Sequence, residues 1–207
     1  MNKKTQKFEI SGSAGRLECA LDVPDGEVRG FALVAHPHPL YGGTMDNKVT
    51  HTLARTFTSI GYASARMNFR GVGSSEGVHD HGLGETDDMA LLLADMQQRY
   101  PGLPFALAGF SFGTFVQSRL QQRLQAAGQG AERLVLVGSA AGKWDMPAIP
   151  ANSLVIHGEQ DDTIALTAVL DWLRPQDIAV LVIPGADHFF HRKLQHIKNF
   201  VTSMWQR

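Results

Sequence analysis

The chain of 207 residues has one cysteine, Cys19. A lone thiol closes no intrachain disulfide and builds no cysteine metal site, which excludes the disulfide-stapled and zinc-finger classes. No apolar run reaches the roughly 18 residues that a membrane-spanning helix needs. Basic residues form no block beyond Lys3-Lys4, and the formal net charge is −1. Nothing in that distribution asks for nucleic acid or an anionic membrane. The stretch from Met1 to Ile10 is polar and lacks the apolar core of a signal peptide, so the expected location is the cytoplasm. Internal repeats, low-complexity tracts and linker-like shifts of composition are also missing. A single domain over residues 1–207 is expected.

Hydrophobic residues are plentiful at 43%, against 19% charged, a balance that marks a globular chain with a sizeable core. The 21 glycines and 9 prolines suit many short connections. Phe8–Ile10 and Leu17–Val23 alternate apolar and polar residues around Ser11–Gly15, which predicts a hairpin. The pattern then becomes strand, loop, helix, repeated. Short apolar runs predict strands at Gly30–Ala35, Tyr62–Asn68, Phe105–Phe110, Arg133–Gly138, Leu154–His157 and Ala179–Ile183, the first of them buried on both faces. Helical spacing predicts helices at Lys48–Ile60, Glu85–Tyr100, Phe112–Ala127, Thr163–Leu173 and Lys193–Trp205. The expected fold class is α/β, a doubly wound and mostly parallel sheet with an antiparallel N-terminal hairpin. Phe200 and Trp205 on the last helix read equally as core or as a dimer contact.

Gly109-Phe-Ser-Phe-Gly113 fits G-x-S-x-G between a strand and a helix. That context is what a nucleophile elbow requires. Two residues without Cβ let the backbone turn sharply and lift the Ser111 hydroxyl above the sheet. A serine hydroxyl is a weak nucleophile and needs a base. His188 follows the last strand in the loop Pro184–His188 and is the candidate. The histidine needs a carboxylate to fix its tautomer. Asp161, in Gly158-Glu-Gln-Asp-Asp162, is the first choice and Asp162 the second. Glu159 sits too near its strand, and Asp162 is expected to cap the helix from Thr163. All three positions follow strand C-terminal ends, where open α/β sheets place their sites.

Four motifs then form a set: His36-Pro-His-Pro-Leu-Tyr-Gly-Gly43, Asn68–Gly77, Gly109–Gly113, and His157-Gly-Glu-Gln-Asp161 with Asp187-His188. As a set they resemble the α/β-hydrolase superfamily, in particular its small bacterial esterase-like members without a lid. The resemblance covers nearly the whole chain. It implies that the aspartate three residues past His157-Gly158 is the triad acid, which favours Asp161. It also implies a serine hydrolase that cleaves carboxylic esters, with a thioesterase, a peptidase or a non-catalytic binding protein of the same fold as alternatives.

An oxyanion hole needs backbone N–H donors. Phe112, just after the nucleophile, is expected to give one. The other should come from the loop after Gly30–Ala35. Pro37 and Pro39 have no N–H, so His38 owns the only amide between them. The superfamily usually has His-Gly there, and His-Pro is a departure. Cap domains of this fold follow the strand ending here at Gly138, and Ser139–Ser153 is too short for a helical lid. The site is therefore expected to be open, taking a small-molecule ester with a short or varied acyl group. Leu40, Tyr41, Trp144 and Phe189 are candidate walls of the substrate site. The His36/His38 and His79/His81 pairs lack further metal ligands in the sequence, so neither a metal nor an organic cofactor is expected.

Overall fold

The computed structural model describes residues 5–205. Eight strands form one sheet: β1 Gln6–Gly12, β2 Gly15–Asp22, β3 Gly30–Ala35, β4 Tyr62–Met67, β5 Phe105–Phe110, β6 Arg133–Val137, β7 Leu154–Gly158 and β8 Val180–Ile183. Their spatial order is β1-β2-β4-β3-β5-β6-β7-β8. The hairpin strand β2 runs antiparallel to both β1 and β4, and every later pairing is parallel. The five helices are α1 Lys48–Ser59, α2 Leu83–Arg99, α3 Phe112–Ala126, α4 Leu166–Leu173 and α5 Leu194–Trp205. The doubly wound α/β architecture expected from the sequence is the one observed.

Side chains of a strand alternate between faces, so a run buried along its length must find cover on both sides. In β3, Phe31, Leu33 and Ala35 enter one core while Ala32 and Val34 enter the other. The first core is closed by α2, α3 and α4 through Met89, Val116, Leu120 and Val169, and the second by α1 and α5 through Leu53, Phe57, Ile197 and Val201. Trp205 packs edge-on to Phe57 at 5.2 Å and donates to Glu132 at 3.1 Å. Phe200 also lies against this second core.

Two helices start away from their expected positions. Helix α2 begins at Leu83 rather than Glu85, because the Glu85 side chain reaches back to the Gly82 amide and lets the turn start earlier. Helix α4 begins at Leu166 rather than Thr163, and Asp162 does not cap it. Asp161 Oδ1 takes the Thr163 and Ile164 amides instead, which turns the chain before the helix can form. Residues 138–153, between β6 and β7, contain no helix. The site at the C-terminal sheet edge therefore has no lid from that connection. Among the described residues, no helix is long and apolar enough to cross a membrane.

Candidate active site

The turn from β5 into α3 requires its glycines. A Cβ on Gly109 would lie 2.4 Å from the Gly113 carbonyl oxygen, and one on Gly113 would lie 2.5 Å from that of Ala35. Ser111 itself sits at φ 53°, ψ −121°. A non-glycine residue held there costs of order 1–3 kcal/mol, and the surrounding structure must impose it. The Ser111 amide donates to the Val137 carbonyl at 3.0 Å, and its carbonyl accepts from the Thr114 amide and hydroxyl at 2.8 and 2.6 Å. Both neighbouring elements thus hold the turn in its strained form.

His188 Nε2 lies 3.0 Å from Ser111 Oγ, and His188 Nδ1 lies 2.7 Å from Asp161 Oδ2. Three residues far apart in sequence therefore form one hydrogen-bonded chain from hydroxyl to carboxylate. The neutral Nδ1–H tautomer satisfies both contacts, with Nδ1 donating and Nε2 accepting. Burial pushes the Asp161 carboxyl up, but the hydrogen bonds from His188 and the Ile164 amide outweigh it and hold the group below its ordinary value. Asp162 stays exposed and accepts from the Thr163 hydroxyl at 3.3 Å. Glu159 accepts from the Gly185 amide at 2.8 Å and so pins the loop that carries His188.

His38 adopts φ −56°, ψ 124°, the extended form that a following proline favours. Pro39–Tyr41 then form a 3-10 turn, absent from the sequence expectation. The His38 carbonyl accepts from the Tyr41 and Gly43 amides. Among the described residues, neither the His38 amide nor the Phe112 amide donates a hydrogen bond. Phe112 opens α3, where the first amides have no partner within the helix. Burial, and then the neighbouring His79, lower the pKa of the His38 imidazole.

A cleft of about 540 Å³ lies over Ser111, lined by His38, Tyr41, Phe112, Ala140, Lys143, Trp144, Asp162, Thr163 and Ile164. Such a volume suits a small ligand. Of the four expected wall residues, Tyr41 and Trp144 line this cleft. Leu40 is 69% exposed and faces a separate groove with Arg70 and Val78. Phe189 stacks edge-on to His188 at 5.2 Å and stands outside the cleft lining. Among the described residues, no three His, Cys, Asp or Glu side chains gather as a metal site.

Three residues near the site have roles that the sequence does not show. His36 is fully buried; its Nε2 accepts from the Phe69 amide at 2.9 Å and its Nδ1 meets the Pro37 carbonyl at 2.6 Å. Burial pushes its pKa down to about 3. His157 donates from Nε2 to the Ile164 carbonyl at 3.0 Å, while its buried Nδ1 has no partner among the described residues. Glu85 is buried beneath His79. The capping-box spacing from Gly82 to Glu85 was the one available signal for it.

Residues 40–158 match the family model described as serine aminopeptidase, S33. An uncharacterised protein of Rickettsia prowazekii (strain Madrid E) is 31% identical over 203 residues, covering 93% of this chain and 85% of the relative. The crystal structure of an α/β serine hydrolase without lid from Xanthomonas campestris has a TM-score of 0.89 and 34% identity, over 99% of this chain and 94% of that one. An α/β serine hydrolase homologue from Coxiella burnetii has a TM-score of 0.82 and 32% identity, over 97% of each chain. With the sheet order, the elbow after β5 and the helix-free connection after β6, these likenesses establish that the chain belongs to the α/β-hydrolase superfamily, among its serine hydrolases without a lid.

Proposed function

We propose that this hydrolase cleaves carboxylic esters of small or varied acyl groups through an acyl-enzyme on Ser111. The observation that carries the reading is the hydrogen-bonded chain Ser111 Oγ, His188 and Asp161 Oδ2, with separations of 3.0 and 2.7 Å. Ser111 Oγ attacks the ester carbonyl carbon while its proton passes to His188 Nε2. The carbonyl oxygen becomes an oxyanion between the His38 and Phe112 amides. Collapse breaks the bond to the alkoxy group, which leaves as the alcohol with the proton from His188. Water, deprotonated by His188, then attacks the acyl-enzyme carbonyl, and the bond to Ser111 Oγ breaks as His188 returns the proton to that oxygen, which releases the acid. Asp161 holds His188 in the needed tautomer and balances its charge without taking the proton. The steps use protein groups and water alone.

The lid-free cleft supports short or varied acyl groups, since no helical cap measures the chain length. The matched family description favours a second reading, amide cleavage at a peptide N-terminus. That substrate needs a carboxylate for its α-ammonium group, and Asp162 is the carboxylate lining the cleft.

The test is covalent labelling by a fluorophosphonate probe, comparing wild type with Ser111→Ala and mapping the adduct by mass spectrometry. An adduct on Ser111 that is absent from the variant is the expected result. Folded wild-type protein that takes no label would overturn the catalytic reading. A panel of ester, thioester and aminoacyl-anilide substrates then separates the leaving groups, with the esters expected to turn over fastest.

A further inference from the structure

Glu85 stands in the first turn of α2 with no exposed surface. Burying a carboxylate is costly unless donors surround it. Glu85 has three: its oxygens accept from His79 Nδ1 at 2.8 Å, the Asp80 amide at 2.9 Å and the Gly82 amide at 2.8 Å. The helix N-terminus adds favourable dipole charge. This carboxylate is therefore a fixed point, and its bond to Nδ1 sets the orientation of the His79 ring.

The His79 side chain is only 6% exposed. Its ring lies 4.8 Å from that of His38 and 5.4 Å from that of Phe112. These are the two residues whose amides are assigned to the oxyanion. Trp144 meets the same two rings, at 5.8 and 4.9 Å. The prolines on either side of His38 limit its backbone locally, but they do not fix the distance between its loop and α3. Gly113 lies against the Ala35 and His36 carbonyls and the His38 and Phe112 rings meet at 4.9 Å, and the His79 and Trp144 rings pack on both members of that ring contact. The segment presenting His79 is itself pressed against α3, because a Cβ on Gly82 would lie 2.5 Å from the Phe115 ring.

We infer that His79, oriented by Glu85, is a positioning residue that sets the spacing of the His38 and Phe112 amides. It belongs to neither the triad nor the cleft lining, and acts by packing on the two residues that carry the donors. The inference rests on the proposed assignment of Ser111 as nucleophile and of those amides as oxyanion donors. It gives the His79/His81 pair a use other than metal binding: Glu85 already spends its oxygens on protein donors.

The test compares wild type, His79→Ala and His79→Phe by kcat, KM, the rate of fluorophosphonate labelling at Ser111, and Tm. Both variants remove the bond to Glu85 and share its cost in stability. Only alanine removes the ring. His79→Ala should lower kcat and the labelling rate by about 10–100-fold, as expected when oxyanion donors are misplaced, with KM within about threefold. His79→Phe should recover kcat to within about fivefold of wild type. The inference is overturned if His79→Ala keeps kcat within about twofold, or if both variants lose activity equally. Wild-type protein that does not label at Ser111 removes the functional reading itself. That outcome differs visibly from a labelled wild type that is indifferent to His79.

Discussion

Two loops at the C-terminal edge of the sheet each have a buried histidine at their base, and the groups they present are held in different ways. After β7, Glu159 and Gln160 tie the loop to the one that carries His188, but the Asp161 side chain is fixed within its own turn. His157 bonds the Ile164 carbonyl, and Asp161 Oδ1 takes the Thr163 and Ile164 amides. That leaves Oδ2 for His188. After β3, the loop that supplies the His38 amide closes its own 3-10 turn and is also fastened from outside: His36 takes the Phe69 amide from the loop after β4, and the rings of His79, Phe112 and Trp144 pack on His38. The proposed triad acid must keep one carboxylate in one orientation, and a closed turn of a few residues does that. The proposed oxyanion donors come from two separate segments, the loop after β3 and the start of α3, so no single turn can set the distance between them.

The strongest way to break the comparison is at Asp161, where the turn and the proposed triad share one side chain. Asp161→Asn keeps a carbonyl oxygen for either the turn or His188 but loses the charge that balances the imidazolium. A fall in kcat of about 10³–10⁴-fold with a small change in Tm is expected, the size associated with losing the acid of such a triad. Asp161→Ala should also free the Thr163 and Ile164 amides and cost about 1–2 kcal/mol in denaturant unfolding. If Asp162→Asn shows the large kcat loss instead, the acid has been assigned to the wrong neighbour.

The three strand-end positions were legible because each depends on local pattern: an apolar run, then a loop residue of the right chemistry. The hairpin and the parallel order followed from the change between alternating and continuous apolar runs. The supports of the site were not legible. The His36 clasp joins residues 33 positions apart, and neither residue type marks it. The start of α4 moved because Asp161 already held the amides that an earlier start would have used. The apolar type of Leu40 and Phe189 suggests walls of the cleft, but loop geometry decides direction. The 3-10 turn leaves Tyr41, 87% exposed, at the cleft and turns Leu40 away from it.

Acid should expose the outside fastening of the first loop. Burial holds the His36 pKa at about 3 in the folded state, below the ordinary histidine value of about 6.5. As pH falls, the unfolded chain therefore takes up the proton first. The stabilisation is complete above pH of about 6.5 and is lost as pH falls toward about 3, with a slope of up to about 1.4 kcal/mol per pH unit. The His157 pKa is also lowered by burial, so it adds loss of the same sign. Urea unfolding at a series of pH values measures the total, and His36→Gln, which cannot titrate, should flatten the slope by about one proton. An unchanged slope in that variant would mean that His36 is not the neutral clasp described here.

The smallest expected effect concerns Pro39. His38 already lies in the extended form that Pro39 favours, and Pro39 opens the 3-10 turn whose amides bond the His38 carbonyl. Pro39→Ala keeps those bonds but widens the conformations open to the unfolded chain, which should cost about 0.4–1 kcal/mol. Any catalytic effect must come through His38. If the proline restrains the donor before substrate arrives, kcat should fall by about two- to tenfold with KM nearly constant, because the lost restraint matters most when the oxyanion forms. Lower stability with unchanged kcat would show that the packing of His36 and His79 holds the donor without the proline, and the preorganising role would pass from the loop's own sequence to its surroundings.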